Sequence, residues 1–246
     1  MQNPVVLVTG AAAGIGAACI TAFNAAGWSC VGVDRTYAST SAREVSPTLL
    51  CCGGDVSLAP DWQRWLDDTY KQYGRLDAVI NNAGIAGPIC DFLEYPDDAF
   101  DAVMAVNARG VFLGTKYSAA RMIAAGTTGA IVNIASNAGL AGSPRIVGYS
   151  ASKHAVIGIT KSAAKAFATR NVRVNAICPA PTDTAMVRNL EQYSSAEQVR
   201  SALTAGTPMG RYGEPAEIAA AALFLSSAAA SFITGAIVPV DGGSVA

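Results

Sequence analysis

The sequence holds a single histidine, and only 14% of its residues are charged. His154 cannot by itself complete a histidine-rich metal centre. The six cysteines (Cys19, Cys30, Cys51, Cys52, Cys90 and Cys178) lack the paired spacing of zinc ligands. No metal site is expected. Lysine and arginine nowhere form a block, and the net charge is −1, which excludes nucleic acid or a membrane surface as the main partner. No stretch reaches the ~20 apolar residues of a membrane span. The first residues lack the charged region, apolar run and cleavage site of a secretory signal. The expectation is a cytoplasmic protein whose cysteines stay reduced and mostly buried.

What the chain does have is hydrophobic residues, 51% of 246, enough for a generous core. Val5-Val6-Leu7-Val8 reads as a strand covered on both faces, as in a parallel sheet. Thr9-Gly10-Ala11-Ala12-Ala13-Gly14-Ile15-Gly16 follows, and then a helix. Strand, glycine-rich turn and helix N-terminus together suit a phosphate cradle, in which unpaired amides and the helix dipole attract a pyrophosphate. The spacing G-x-x-x-G-x-G differs from the G-x-G-x-x-G fingerprint, so a purely structural turn stays open at this point.

A second strand, Cys30 to Val33, ends in Asp34. A carboxylate there accepts hydrogen bonds from ribose hydroxyls and repels a 2′-phosphate, which favours NAD over NADP; the alternative is a turn acid. Arg35 either lies along an adenine or receives a phosphate. Leu49 to Cys52 makes a third strand, after which Asp55-Val56 offers an acid for the adenine amino group or simply another turn acid. Trp62 and Trp65 fall on the apolar stripe of a helix between Asp61 and Gly74 and read as packing. A fourth strand, Leu76 to Ile80, closes in Asn81-Asn82-Ala83-Gly84, whose amides can fix backbone groups and reach a ribose.

One long helix is expected from Ala99 to Ala125, carrying Asn107 on an apolar face as a satisfied structural amide or part of a water relay. A fifth strand, Ala130 to Ile134, delivers Ser136 to the crevice side of the sheet, unless it is an ordinary turn serine. Then come Tyr149 and Lys153, four apart on one helical face, where a cation beside a phenol favours the phenolate and would make a general acid–base pair; the alternative is an ordinary exposed helix pair. His154, beside Lys153, faces elsewhere and belongs to packing or the surface. A sixth strand, Val172 to Cys178, precedes residues 185–213, which break the strand–helix alternation and read as a substrate-covering lid. A helix from Ala216 to Ser226 and a strand from Ala236 to Val240 bring the count to seven strands. The whole is α/β, one doubly wound Rossmann-type domain spanning 1–246.

Taken together, Thr9-Gly10-x-x-x-Gly14-Ile15-Gly16, Asn81-Asn82-Ala83-Gly84, Asn107, Ser136, Tyr149-x-x-x-Lys153 and Asp241-Gly242-Gly243 resemble the short-chain dehydrogenase/reductase family over essentially the full length. The resemblance implies that Asn107, Ser136, Tyr149 and Lys153 form a catalytic tetrad. Tyr149 would be the general acid or base while hydride passes between substrate carbon and nicotinamide. Lys153 would lower the Tyr149 pKa and hold the nicotinamide ribose, Ser136 would bind the substrate oxygen, and Asn107 would position a water linking Lys153 to solvent. NAD would lie along Gly10, Ala12, Gly14, Ile15, Gly16, Asp34, Arg35, Asp55, Val56, Asn82, Ala83 and Gly84. Thr182 and Thr184 would grip its carboxamide above Pro179. A homotetramer is the implied assembly.

The chain departs from the family where Pro179-Ala180 stands for Pro-Gly, bringing a methyl near the nicotinamide, and where Thr182 replaces an aliphatic residue. The substrate walls expected are Ile85, Ala86, Asn137, Ala138, Arg145, Ile146 and Met186, which suit a small or cyclic secondary alcohol or ketone; Arg145 leaves room for a carboxylated one. A nucleotide-sugar epimerase would need a larger substrate domain. A non-catalytic sensor of the NADH/NAD ratio is the alternative, and its expected mark, a damaged tetrad, is missing.

Overall fold

In the computed structural model, which describes residues 2–38, 40–190 and 196–246, strands and helices alternate along the chain. The order is β1 (Val5–Thr9), α1 (Gly14–Ala25), β2 (Ser29–Asp34), β3 (Arg43–Ser46), β4 (Leu49–Gly53), α2 (Ala59–Tyr73), β5 (Ala78–Asn81), α3 (Asp97–Met104) and α4 (Gly110–Ala124). Then follow β6 (Gly129–Ile134), α5 (Val147–Phe167), β7 (Val172–Pro179), α6 (Ala185–Leu190), α7 (Ala196–Ala205), α8 (Pro215–Ser226) and β8 (Ile237–Val240). The sheet runs β3-β4-β2-β1-β5-β6-β7-β8, with every pairing parallel except β3 with β4. Strand order therefore reverses between β1 and β5, and a crevice opens at their carboxyl ends.

The described strands number eight rather than the expected seven. The extra one, β3, forms an antiparallel hairpin at the sheet edge, and three of its four residues are exposed. Its Arg43-Glu44-Val45-Ser46 carries one apolar side chain, so hydrophobic periodicity has nothing to register.

Buried strands explain the continuous apolar runs. Along β1, Val5 and Leu7 pack with Trp62, Trp65, Leu113 and Met122 on one face, while Val6 and Val8 pack with Phe23, Ile218 and Leu225 on the other. Trp62 and Trp65 are wholly buried and donate their indole N–H groups to the carbonyls of Val56 (2.9 Å) and Gly53 (3.1 Å). Packing is their role, as the sequence suggests.

The expected long helix is present but not uniform. Between α3 and α4 one turn, Ala105–Arg109, widens to π geometry, and it contains Asn107. A turn of this kind displaces side chains from the regular helical register and often marks functional positions. Of the segment expected to cover the substrate, residues 191–195 lie outside the described residues.

Candidate active site

A cavity of about 470 Å³ opens at the carboxyl ends of β1, β2, β5, β6 and β7. Its lining takes in Gly10, Gly14, Ile15, Asp34, Asn82, Ala83 and Gly84 from the first half of the chain, and Ser136, Tyr149, Lys153, Pro179, Thr182 and Thr184 from the second.

At the first end, the turn after β1 is built around left-handed backbone. Gly10 has φ +65°, and a Cβ there would stand 2.9 Å from Asn82 Nδ2, so no side chain is tolerated. Helix α1 then begins at Gly14 with no side-chain cap and no acid in its first turn. Its leading N–H groups and positive dipole end are left for an anion, which fits the pyrophosphate of a dinucleotide. Asp34 holds this turn in place: Oδ2 accepts from Ala12 N–H (3.0 Å), and Oδ1 accepts from both the N–H (2.9 Å) and the hydroxyl (2.8 Å) of Thr36.

Thr9, whose role the sequence reading did not identify, pins the next strand end. Its Oγ1 accepts from the backbone N–H of Asn82 (2.9 Å) and of Ala83 (3.0 Å). Asn82 Nδ2 returns a bond to the Thr9 carbonyl at 2.9 Å. The missed signal was a hydroxyl at the last position of an otherwise apolar strand.

At the second end, Lys153 is buried and donates to the Ile134 carbonyl (2.8 Å), with Nζ 5.4 Å from the centre of the Tyr149 ring. Burial pulls its pKa down to about 8. Burial likewise pushes the Tyr149 phenol up, and a hydrogen bond with the Ser136 hydroxyl works against that. The protein's own groups thus do not produce the expected net lowering of Tyr149: both side chains are desolvated, and each is driven toward its neutral form. Ser136 Oγ also donates to Asn137 Oδ1 (3.2 Å) and accepts from Ala138 N–H (3.2 Å).

Asn107 stands behind these groups, fully buried and fully engaged. Its Oδ1 accepts from Ile85 N–H (2.8 Å), and Nδ2 donates to the Ile85 carbonyl (2.9 Å) and to Ser152 Oγ (3.1 Å). Ser152 in turn donates to the Tyr149 carbonyl at 2.7 Å. The amide ties the segment after β5 to the helix that carries Tyr149 and Lys153. A Cβ on Gly84 would lie 3.2 Å from Asn107 Oδ1 and 3.7 Å from Lys153 Nζ, so all three converge.

Ala12, Gly16, Arg35, Asp55, Val56, Ile85, Asn107 and Arg145 are outside the lining. Asp55 is exposed, with Oδ1 accepting from Ser57 N–H at 2.7 Å in a local turn. Arg35 and Arg145 are exposed, and His154 lies on the surface with Nδ1 2.9 Å from the Ser150 carbonyl. Thr182 is buried and donates to the Ala180 carbonyl (3.0 Å), while Thr184 faces Gly14 across the cleft.

Ala86, Asn137, Ala138, Ile146 and Met186 do line the cavity, joined by Ile89, Val187 and Leu203, which sequence reasoning did not single out. Among the described residues no cluster of histidine, cysteine or acidic side chains is arranged to hold a metal.

Known proteins match this chain over nearly its whole length. Residues 10–244 match the protein family described as enoyl-(acyl carrier protein) reductase. Cis-4-hydroxycyclohexanecarboxylate dehydrogenase of Sinomonas cyclohexanicum is 37% identical over 248 residues, covering 98% of this chain and 96% of its own. Among solved structures, the 3-ketoacyl-(acyl-carrier-protein) reductase of Brucella melitensis complexed with NADH superposes with a TM-score of 0.88 at 30% identity, over 100% of this chain and 99% of its own. ElxO with NADP bound gives 0.90 at 28% identity, with 99% of each chain covered.

Proposed function

The chain belongs to the short-chain dehydrogenase/reductase family, and on that premise we propose that it is an NAD(H)-dependent oxidoreductase interconverting a small or cyclic secondary alcohol and its ketone. The observation that carries this reading is the meeting of Ser136, Tyr149 and Lys153 on one side of a cavity whose neighbouring walls are Ala86, Ile89, Ile146, Met186 and Leu203. Proton-transfer groups face a space with apolar walls.

A nicotinamide dinucleotide held at the Gly10–Gly16 turn by its pyrophosphate would supply the hydride donor or acceptor. The remaining work falls to side chains. In ketone reduction, the Tyr149 hydroxyl gives its proton to the carbonyl oxygen; in alcohol oxidation, the phenolate oxygen takes the proton back. Ser136 Oγ holds that same substrate oxygen. Lys153 is fixed by the Ile134 carbonyl, and its ammonium stabilises negative charge on Tyr149 as the proton leaves. Asn107 acts through Ile85 and Ser152, keeping the two sides of the cleft in register.

The preference for NAD rests on Asp34, a carboxylate lining the cavity at the end of β2, where it would repel a 2′-phosphate. Arg35, the residue that would favour NADP, lies outside that lining. A single domain over 1–246, with residues 185–213 covering the substrate, is supported by Met186, Val187 and Leu203 standing over the cavity. A homotetramer is supported by exposed Phe112 on α4, and by Phe224 and Phe232 near the C-terminus. A cytoplasmic setting accords with six unpaired cysteines.

The test is NADH or NADPH absorbance during a panel of cyclic, aromatic and aliphatic ketones and secondary alcohols, with carrier thioesters included. Turnover of small ketones with NADH ahead of NADPH is expected. Preference for carrier thioesters would overturn the substrate reading, and preference for NADPH the cofactor reading.

A further inference from the structure

Tyr95 follows the short turn Phe92–Glu94 and is 9% exposed, yet its hydroxyl has no hydrogen-bond partner. An unpaired buried hydroxyl costs stability, so a ring present only for packing would be better as phenylalanine. The position of the hydroxyl explains its presence. It is the tip of a wedge between two glycines: a Cβ on Gly87 would stand 2.5 Å from the phenol oxygen, and a Cβ on Gly148 would stand 2.6 Å from it and 3.0 Å from Cζ.

Both glycines adjoin the site. Gly87 lies between Ala86 and Ile89, which form one wall of the substrate end, and Gly148 immediately precedes Tyr149 in α5. Gly148 does not have left-handed backbone, so nothing in its conformation requires glycine; the approach of the Tyr95 ring does. Tyr95 is outside the cavity lining and meets the wall at Gly87.

We propose that Tyr95 is a specificity-determining positioning residue, a spacer whose length sets the distance between the Ala86–Ile89 wall and the Tyr149 end of α5, and hence the width of the substrate the site accepts. This rests on the proposed reduction of small or cyclic ketones. Shortening the spacer lets the wall close toward α5's first turn and narrows the substrate end, because packed walls move to fill a void. The phenol oxygen contributes length rather than a bond.

The experiment is the series Tyr95→Phe, Tyr95→Leu and Tyr95→Ala in the full chain, with kcat and KM measured on cyclic ketones of graded size, NADH affinity from fluorescence, and amide hydrogen exchange over 84–91 and 146–150. The expected result is a graded shift of kcat/KM toward the smaller ketones, slight for Phe and about tenfold for Ala, the worth of a change in pocket size. NADH affinity should hold, and exchange should rise in both segments in the same order. Equal loss on small and large ketones, or a full effect already present in Tyr95→Phe, would overturn the spacer. So would unchanged exchange in Tyr95→Ala. If the unaltered protein reduces no ketone in the series, the proposed function fails on its own, and the exchange measurement still decides whether Tyr95 spaces the two segments.

Discussion

The two ends of the cavity are built on different principles. At the cofactor end polar side chains are tied to backbone: Asn82 to the Thr9 carbonyl and Asp34 to Ala12 N–H, at 2.9 and 3.0 Å. At the substrate end, Ala86, Ile89, Ile146, Met186, Val187 and Leu203 offer surface without direction. Hydrogen bonds prescribe an atom at a place, whereas an apolar wall prescribes only a volume. The first end is therefore intolerant of substitution and the second is adjustable.

The largest effect that would sharpen this contrast is expected from Lys153→Met, which removes the ammonium behind Tyr149 and should lower kcat by about 10² or more, on the scale of one acid–base group. The same variant carries a pH signature. Lys153 titrates near 8 in the folded chain, below its usual value of about 10.4, so between these the unfolded chain binds more protons and this residue adds stability as pH rises. Denaturant melts from pH 7 to 10 should show that gain in the unaltered protein relative to Lys153→Met. A parallel pH dependence in both would break the account of a desolvated ammonium.

Next in size is Thr9→Val, an almost isosteric change that leaves the Asn82 and Ala83 N–H groups without their acceptor. A loss of about 1–3 kcal/mol for each is expected in urea melts. Asp34→Ser should follow, lowering the preference for NADH over NADPH by about tenfold in fluorescence titrations, in keeping with one charged hydrogen bond. Smallest is Met186→Ala at the adjustable end, where KM for a small ketone should move by less than about tenfold and NADH affinity should hold. A larger loss there than at Thr9 or Asp34 would reverse the comparison.

The same contrast governs what could be read from the sequence. Glycine spacing, Asn82, Ser136 and the Tyr149/Lys153 pair are legible because only certain residues fit a left-handed turn or carry a proton. Strand β1 is legible because both of its faces are covered. β3 was not, since an exposed polar edge strand is held by its neighbour's backbone and leaves no hydrophobic pattern. Asp55 shows the converse: an acid at a strand end reads in sequence equally as a ligand or a turn acid, and in the fold its Oδ1 accepts from Ser57 N–H in a local turn. Ile89, Val187 and Leu203 reach the cavity through tertiary approach that no local spacing encodes, and the π turn that carries Asn107 has no side-chain signature.

The most direct measurement is single-turnover oxidation of NADH with the best ketone of the panel, comparing the unaltered protein with Tyr149→Phe at saturating cofactor. The account predicts that NADH binds both proteins equally while hydride transfer slows by about 10²–10⁴-fold in the variant, because the proton donor is gone. Hydride transfer at an undiminished rate in Tyr149→Phe would contradict it.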